Sequence, residues 1–403
     1  MKKIDIIKIM KFIMYIILII PFFKPRYLIY GPVNYNTYFT LLLGVALVVI
    51  IFLVIIKKKI KKNFFVIVLY FIVLLISTSI NNGDMNNAIS TAIQVLTFIL
   101  VVDYGLKYDT KIFLNAVDLL LYMLVIYNLY TIFMYPNGMY IDSSGYLDNW
   151  FLGFKNVHIL VILPAITFDF INSYYKYGKL KWWNYFLLII SWISVIIVNS
   201  STSIIGLTAV SAFIIFNKLF NKTRILNIKN YTVAYIISFF GIIILRVQNL
   251  ISFIVVDILK KDLTFTNRVY ILDGVMRLIS DKPLLGYGVE TSATRMTRIP
   301  EQLSLHAHNQ ILEIIYKSGF IGFTIFVYIV YLAYKELMKY KETIISKFLS
   351  IVMFAWMIMM LTEAYAYEYF MYFFVICFNI GNLVKTRKDE NINEESYSNN
   401  SNI

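Results

Sequence analysis

The sequence predicts an all-α polytopic membrane protein of about 12 transmembrane helices, with both termini cytoplasmic and one long extracytoplasmic loop carrying amphipathic helices. Three observations predict this. Hydrophobic residues make up 60% of the 403 and charged residues 15%, a balance foreign to a soluble globular chain. Apolar stretches long enough to cross a hydrocarbon core of ~30 Å recur along the chain, since a helix rises about 1.5 Å per residue. The lysines and arginines fall in short clusters between those stretches, where they act as orientation signals.

Taken in order, the apolar runs predict helices near 9–23, 37–56, 63–80, 88–103, 112–134, 156–172, 183–199, 203–216, 231–249, 309–333, 348–363 and 366–384. The first run follows Met1-Lys2-Lys3 without a small-residue cleavage site, so it is read as an uncleaved helix. With the N-terminus inside, the dense basic clusters at 57–62, 176–181, 218–229, 335–347 and 385–388 all fall in the cytoplasm, and the short outside loops keep only Lys24, Arg26 and Lys155. Residues 1–384 are then a single integral-membrane domain, and the polar tail 385–403 is a disordered cytoplasmic end.

Composition also excludes some chemistry. The net charge of +14 is dispersed between apolar runs rather than gathered on one basic face, so no nucleic-acid partner is expected; membrane lipids are. Cys377 is the only cysteine and lies within an apolar run, which excludes an internal disulfide and leaves a thiolate metal cluster without ligands.

One connection breaks the pattern of short loops. Residues 250–308 carry Lys260, Lys261, Arg268, Arg277, Lys282, Arg295 and Arg298, which suits an anionic substrate, with lipid headgroups as the alternative partner. Within it, Val269, Leu272, Val275, Met276 and Ile279 recur at helical spacing, and Arg268, Asp273 and Arg277 lie off that stripe. An amphipathic surface helix follows, with Thr266 as N-cap, Pro283 as stop and Gly286-Tyr287-Gly288 as the turn beyond. Arg268 in the first turn, beside unpaired backbone N–H groups, suits a pyrophosphate; pairing with a nearby carboxylate is the other reading.

The loop ends on His306-Ala307-His308-Asn309-Gln310, at the start of a membrane helix. Histidine takes and returns a proton near neutral pH, which a hydroxyl nucleophile requires, and Asn309 is suited to orient or cap. An isolated interfacial histidine would simply hydrogen-bond among headgroups, but two in three residues opposite an arginine-rich loop favour function. Gly319 and Gly322 in the following helix are explained by close packing. Lys155, Asn156 and His158, at the start of an earlier helix, can line the same cavity, while Trp150 and Phe151 suit an interfacial belt.

Four stretches together resemble the O-antigen polymerase and ligase family of bacterial surface-polysaccharide assembly: Gly153-Phe154-Lys155-Asn156; Ser200-Ser201-Thr202-Ser203; Asn267-Arg268 through Gly286-Tyr287-Gly288; and His308-Asn309 through Gly319 and Gly322. The resemblance covers about residues 150–330, and the N-terminal helices share only hydropathy with the family. It implies a multi-pass protein of the bacterial cytoplasmic (inner) membrane that transfers a glycan from undecaprenyl pyrophosphate to an acceptor hydroxyl on the outer face, without a metal, and no cofactor is expected. On that reading His308 deprotonates the acceptor hydroxyl and Arg268 holds the donor pyrophosphate. Asn309, Arg277, Arg295, Arg298 and His306 bind substrate, with Lys155 and Asn156 beside them.

The resemblance also implies a second arginine near the serine motif, where this chain reads Ser201-Thr202-Ser203. Arg246, Arg277, Arg295 or Arg298 can substitute, although Arg246 at a membrane boundary is equally explained by snorkelling. Ligase-type transfer to another acceptor is the alternative within the family, and a lipid-linked oligosaccharide flippase is the alternative outside it. Abundant Ile, Lys, Asn and Tyr suggest an AT-rich genome, compatible with capsule-forming Gram-positive bacteria, and favour polymerisation. A flippase and a chain-length regulator are the protein partners such a reading allows.

Overall fold

The computed structural model describes residues 6–32, 34–57, 60–141, 148–216, 227–241, 268–298, 306–365 and 367–384. The chain begins with α1 (Ile6–Ile19) and a short α2 (Tyr27–Tyr30), then runs through α3 (Asn36–Lys57), α4 (Lys62–Ile80), α5 (Met85–Tyr108) and α6 (Thr110–Met134). A two-residue hairpin, β1 (Asn149–Trp150) and β2 (Gly153–Phe154), precedes α7 (Ile159–Tyr177), α8 (Trp182–Ile197), α9 (Ser201–Ile215) and α10 (Ile228–Phe239). Then follow α11 (Arg268–Asp281), the seven-residue α12 (Ser292–Arg298), α13 (Gln310–Lys339), α14 (Ile344–Met359), α15 (Tyr367–Phe378) and α16 (Ile380–Leu383).

A helix lies within each of the twelve expected ranges, of which 231–249 is described only to residue 241, and α13 runs six residues past its expected end at 333. The count of crossings is another matter. Among the described residues six helices are long and apolar enough to cross a membrane: α3, α4, α5, α6, α13, and α7 with the turn that leads into it. The apolar α8, α9 and α14 have 16, 15 and 16 residues, roughly 22–24 Å at 1.5 Å each, short of a full hydrocarbon core. The chain is a multi-pass all-α membrane protein with one small hairpin that the apolar pattern does not reveal.

Burial shows which helices face lipid. In α3 only Phe39, Leu43, Ala46 and Ile50 are buried, at intervals of three and four, whereas Leu41, Val48, Phe52 and Ile55 are exposed. One stripe meets protein and the remaining apolar surface suits hydrocarbon. By contrast α7 is buried almost all round and packs against α6, α8 and α14. The main hydrophobic core draws on all of the long helices, with α7, α14 and α15 the most completely buried.

Helix ends meet at two faces. At one, Lys61 before α4 donates to Asn379 and lies 3.5 Å from Asp103 of α5, and Lys11 binds Asp109 at 2.6 Å. At the other, the ends of α4, α7, α9, α13 and α14 converge with residues 283–290, and the candidate site lies there.

Candidate functional site

The expected amphipathic helix is α11, which starts at Arg268 and stops before Pro283. Its buried face is Ile271, Val275 and Ile279, with Leu272 and Met276 at the margin, packed on Leu312, Ile315 and Tyr316 of α13. The helix is thus covered by protein along this stripe, which is centred on Val275 and begins at Ile271, with Leu272 only partly buried. Arg277 points away and is exposed. The expected N-cap Thr266 and Arg246 lie outside the described residues, as does the placement of the Arg268 side chain.

Beyond Pro283 the chain enters a break in α13. Gly319 has φ 61°, and a Cβ there would lie 2.0 Å from the Leu284 carbonyl oxygen. Gly286 has φ 69°, and its Cβ would lie 2.3 Å from the Tyr316 carbonyl oxygen. Both positions need the left-handed region and the close backbone approach that only glycine permits. The contact completes the hydrogen bonding of the interrupted helix. Tyr287 N and Gly288 N donate to the carbonyls of Tyr316 and Lys317, and Phe320 N and Ile321 N donate to those of Pro283 and Leu284. Interrupted helical backbone is tolerable at membrane depth when protein satisfies it in this way. Asn81 and Thr78 at the end of α4 clamp the same turn, Asn81 donating to the Gly286 carbonyl and Thr78 Oγ1 accepting from Val289 N.

This docking holds a layer of charge over α13. Arg295 is 4% exposed and gives Glu313 two hydrogen bonds of 2.9 and 2.8 Å. Lys317, one turn along, reaches Glu313 at 2.9 Å, and Ala307 N donates to the same carboxylate. Burial opposes the Arg295 charge, but the Glu313 carboxylate more than restores it and raises the guanidinium pKa. Arg298 binds Glu290 at 2.6 Å, and the Tyr316 hydroxyl donates to the other Glu290 oxygen. Arg295 lies over the ring of Tyr316 and Arg298 over that of Tyr287, and the two rings stack. Arg295, expected at the substrate, instead anchors the loop to α13, because a buried guanidinium must be paired.

Glu313 also shapes the histidine turn through Ala307. His308 takes φ 49°, a region uncommon for a residue with a side chain, and its ring meets that of His306 edge to face at 4.2 Å between centroids. Asn309 is the N-cap of α13: its Oδ1 accepts from Leu312 N and its Nδ2 donates to the Leu361 carbonyl. Gln310 N donates to the Met360 carbonyl, and its side-chain oxygen accepts from Tyr365 N. Asn309 is fully buried, so the expected substrate contact is replaced by a structural one, capping and stapling.

Those staples bring Glu363, just past α14, to the histidines. Its Oε2 lies 3.6 Å from His308 Nδ1, and its Oε1 accepts from Asn156 Nδ2 at 3.1 Å. Asn156 Oδ1 in turn accepts from the Ser200 hydroxyl at 2.9 Å, and Ser200 meets Ser203 at 2.7 Å. Asn199 at φ 53° makes the sharp α8–α9 turn that presents Ser200. Three separate sequence motifs are therefore joined in one polar chain, and Glu363 is the junction. A carboxylate at the end of an apolar run was the available signal for it, since such residues are costly unless used.

His308 remains partly exposed. The His306 imidazole is held down to about 4, by burial first and the adjacent His308 ring second, against the pull of Glu313 and Glu363. Lys155 lies 3.7 Å from Asp148, a pair of which Asp148 is exposed and Lys155 half-buried. His158, by contrast, is withdrawn from the cavity. It is fully buried, with Nε2 2.9 Å from the Gly153 carbonyl and Nδ1 3.4 Å from the Asn128 amide, and it holds the β1–β2 hairpin against α6. Beside Gln310 an apolar cavity opens between α13, α14 and α15, lined by Phe323, Phe326, Met353, Trp356 and Phe370.

No curated protein matches the chain. The family model described as O-antigen ligase matches residues 186–327, from α8 through Ser200–Ser203, α11, the charged layer and the histidine turn into α13. These elements, gathered at one face of a membrane bundle, are the part of the chain that is similar to the O-antigen ligase family.

Proposed function

We propose that this face is extracytoplasmic in the bacterial cytoplasmic membrane and polymerises undecaprenyl-pyrophosphate-linked oligosaccharide repeats. The O-antigen ligase-like domain supports transfer of a lipid-linked glycan as the general activity. The observation that carries the site is His308, partly exposed at the start of α13 with the Glu363 carboxylate 3.6 Å from Nδ1. His308 takes the proton of the acceptor sugar hydroxyl as its oxygen bonds to the donor anomeric carbon. The bond from that carbon to the pyrophosphate oxygen breaks, and Glu363 stabilises the imidazolium that forms.

Arg268 holds the departing pyrophosphate, assisted by Arg277, which makes no ion pair among the described residues. An arginine fork neutralises this leaving group where a metal ion otherwise would. Arg298 and Lys155, each engaged with one carboxylate at the rim, complete the positive surround. The apolar cavity beside Gln310 supports this reading, since it offers a polyprenyl chain an apolar lining close to the histidine turn. The compositional signs of an AT-rich genome favour polymerisation over ligation, since ligation to lipid A-core requires an acceptor that Gram-positive envelopes lack.

The test is elongation of synthetic undecaprenyl-pyrophosphoryl repeats by the purified protein in lipid. His308→Ala is expected to lower the rate ~10²–10⁴-fold, the range of general-base catalysis, with membrane insertion unchanged. Movement of the lipid-linked repeat between leaflets without any elongation would overturn the assignment in favour of a flippase. Transfer to a second acceptor without elongation would establish ligation instead.

A further inference from the structure

The grouping of His306, His308 and Glu363 has a second chemical meaning besides proton transfer. Each offers one ligand atom, and these atoms all lie within 4.8 Å of one another. Two imidazoles and one carboxylate are a donor set that zinc accepts, with a fourth position left for water. Bonds of about 2.0–2.1 Å in tetrahedral array separate ligand atoms by roughly 3.3 Å. The 3.6 Å between His308 Nδ1 and Glu363 Oε2 is near that value, and it is beyond hydrogen-bond length. His308 Nδ1 is buried and makes no hydrogen bond among the described residues, so the nitrogen beside the carboxylate is available to a cation.

We propose that His306, His308 and Glu363 form a reversible site for a divalent transition-metal ion of zinc's chemistry, whose occupation inhibits the enzyme by taking the imidazole that accepts the acceptor proton. Inhibition, rather than service as a resident cofactor, follows from the surroundings. Permanent sites orient each ligating imidazole by a hydrogen bond from its other nitrogen, and among the described residues no protein group serves the His308 ring in this way. Glu363 also keeps one oxygen on Asn156, so occupation pulls on the Asn156–Ser200 chain that belongs to the free form. Ordinary hard cations are poor competitors, because nitrogen donors select against magnesium and calcium. The inhibitory half rests on the proposed role of His308; the binding half does not.

The two halves are separated by measuring binding without any glycan substrate. Purified full-length protein is titrated with Zn²⁺ by calorimetry and with Co²⁺ by its visible ligand-field spectrum. One ion per chain is expected, with a four-coordinate cobalt spectrum. His306→Ala and Glu363→Gln are each expected to weaken zinc at least ~10-fold, since loss of even an outer partner costs about 10–100-fold. Glu363→Gln keeps an amide oxygen for Asn156 and so guards against a merely misfolded variant. Elongation should fall with zinc occupancy and return on chelation. Absence of saturable binding, or binding indifferent to both substitutions, overturns the site. Zinc that binds as expected while elongation continues undiminished overturns the inhibition and removes His308 as base. A chelated protein that is inactive until zinc returns overturns the inhibitory reading and assigns the ion to catalysis.

Discussion

Arg295 gives Glu313 two hydrogen bonds while each is almost wholly buried, so removing Glu313 leaves the guanidinium without its carboxylate, and removing Arg295 leaves Glu313 with Lys317 and the Ala307 amide alone. Arg295→Ala is therefore expected to destabilise by about 3–5 kcal/mol, read as a lowered Tm in detergent, and Glu313→Gln by a comparable amount. Arg295→Met combined with Glu313→Leu should recover only part of the loss, because the pair is replaced but Lys317 and the Ala307 amide lose their carboxylate. If Arg295→Ala instead leaves Tm unchanged and lowers only donor affinity, the anchoring role is wrong and the substrate-binding role expected from sequence is restored. At this scale the histidines and Asn309 were legible from their motif, and their duties were not. Asn309 is consumed by capping, His158 by the hairpin, and Glu363 enters only because the turn at 309–310 is stapled to the end of α14.

The element that governs the site is the broken helix α13. Gly319 was legible as a packing residue, but its left-handed backbone and the four hydrogen bonds between residues 283–288 and 316–321 depend on a partner segment far upstream in the chain. Gly319→Ala is expected to displace residues 283–285, since the added methyl would sit 2.0 Å from a carbonyl oxygen. The outcome to measure is protease cleavage of the loop in membranes, faster in the variant, with elongation reduced alongside it. Gly44→Ala is the matched control: nothing lies within 4 Å of its Cβ, and a helix-interior Gly→Ala change of this kind gains roughly 0.5–1 kcal/mol. Equal loop protection in the two variants would show that the break is not held by this contact.

For the whole molecule, the open question is which face is outside. The proposed orientation has the α7–α8 connection at Lys179 in the cytoplasm and the loop at Thr291 outside, as the positive-inside bias of the basic clusters suggests. The sole natural cysteine is buried, so single cysteines introduced at these two positions report cleanly. A membrane-impermeant maleimide should label Thr291→Cys in intact cells and leave Lys179→Cys unlabelled until lysis. The reverse pattern would place the site in the cytoplasm and exclude transfer on the outer leaflet.

By itself the sequence determined the class of solvent, the positions of twelve helices, the amphipathic α11 and the histidine turn, because hydropathy and helical spacing are local properties that need no partner. Only the tertiary structure decided which polar residues face one another. It joined Asn156, Ser200, His308 and Glu363 from four segments, set Arg295 on Glu313, and withdrew His158. Pairing of buried charge depends on how helix ends converge, and that convergence is a property of packing rather than of any one run of residues.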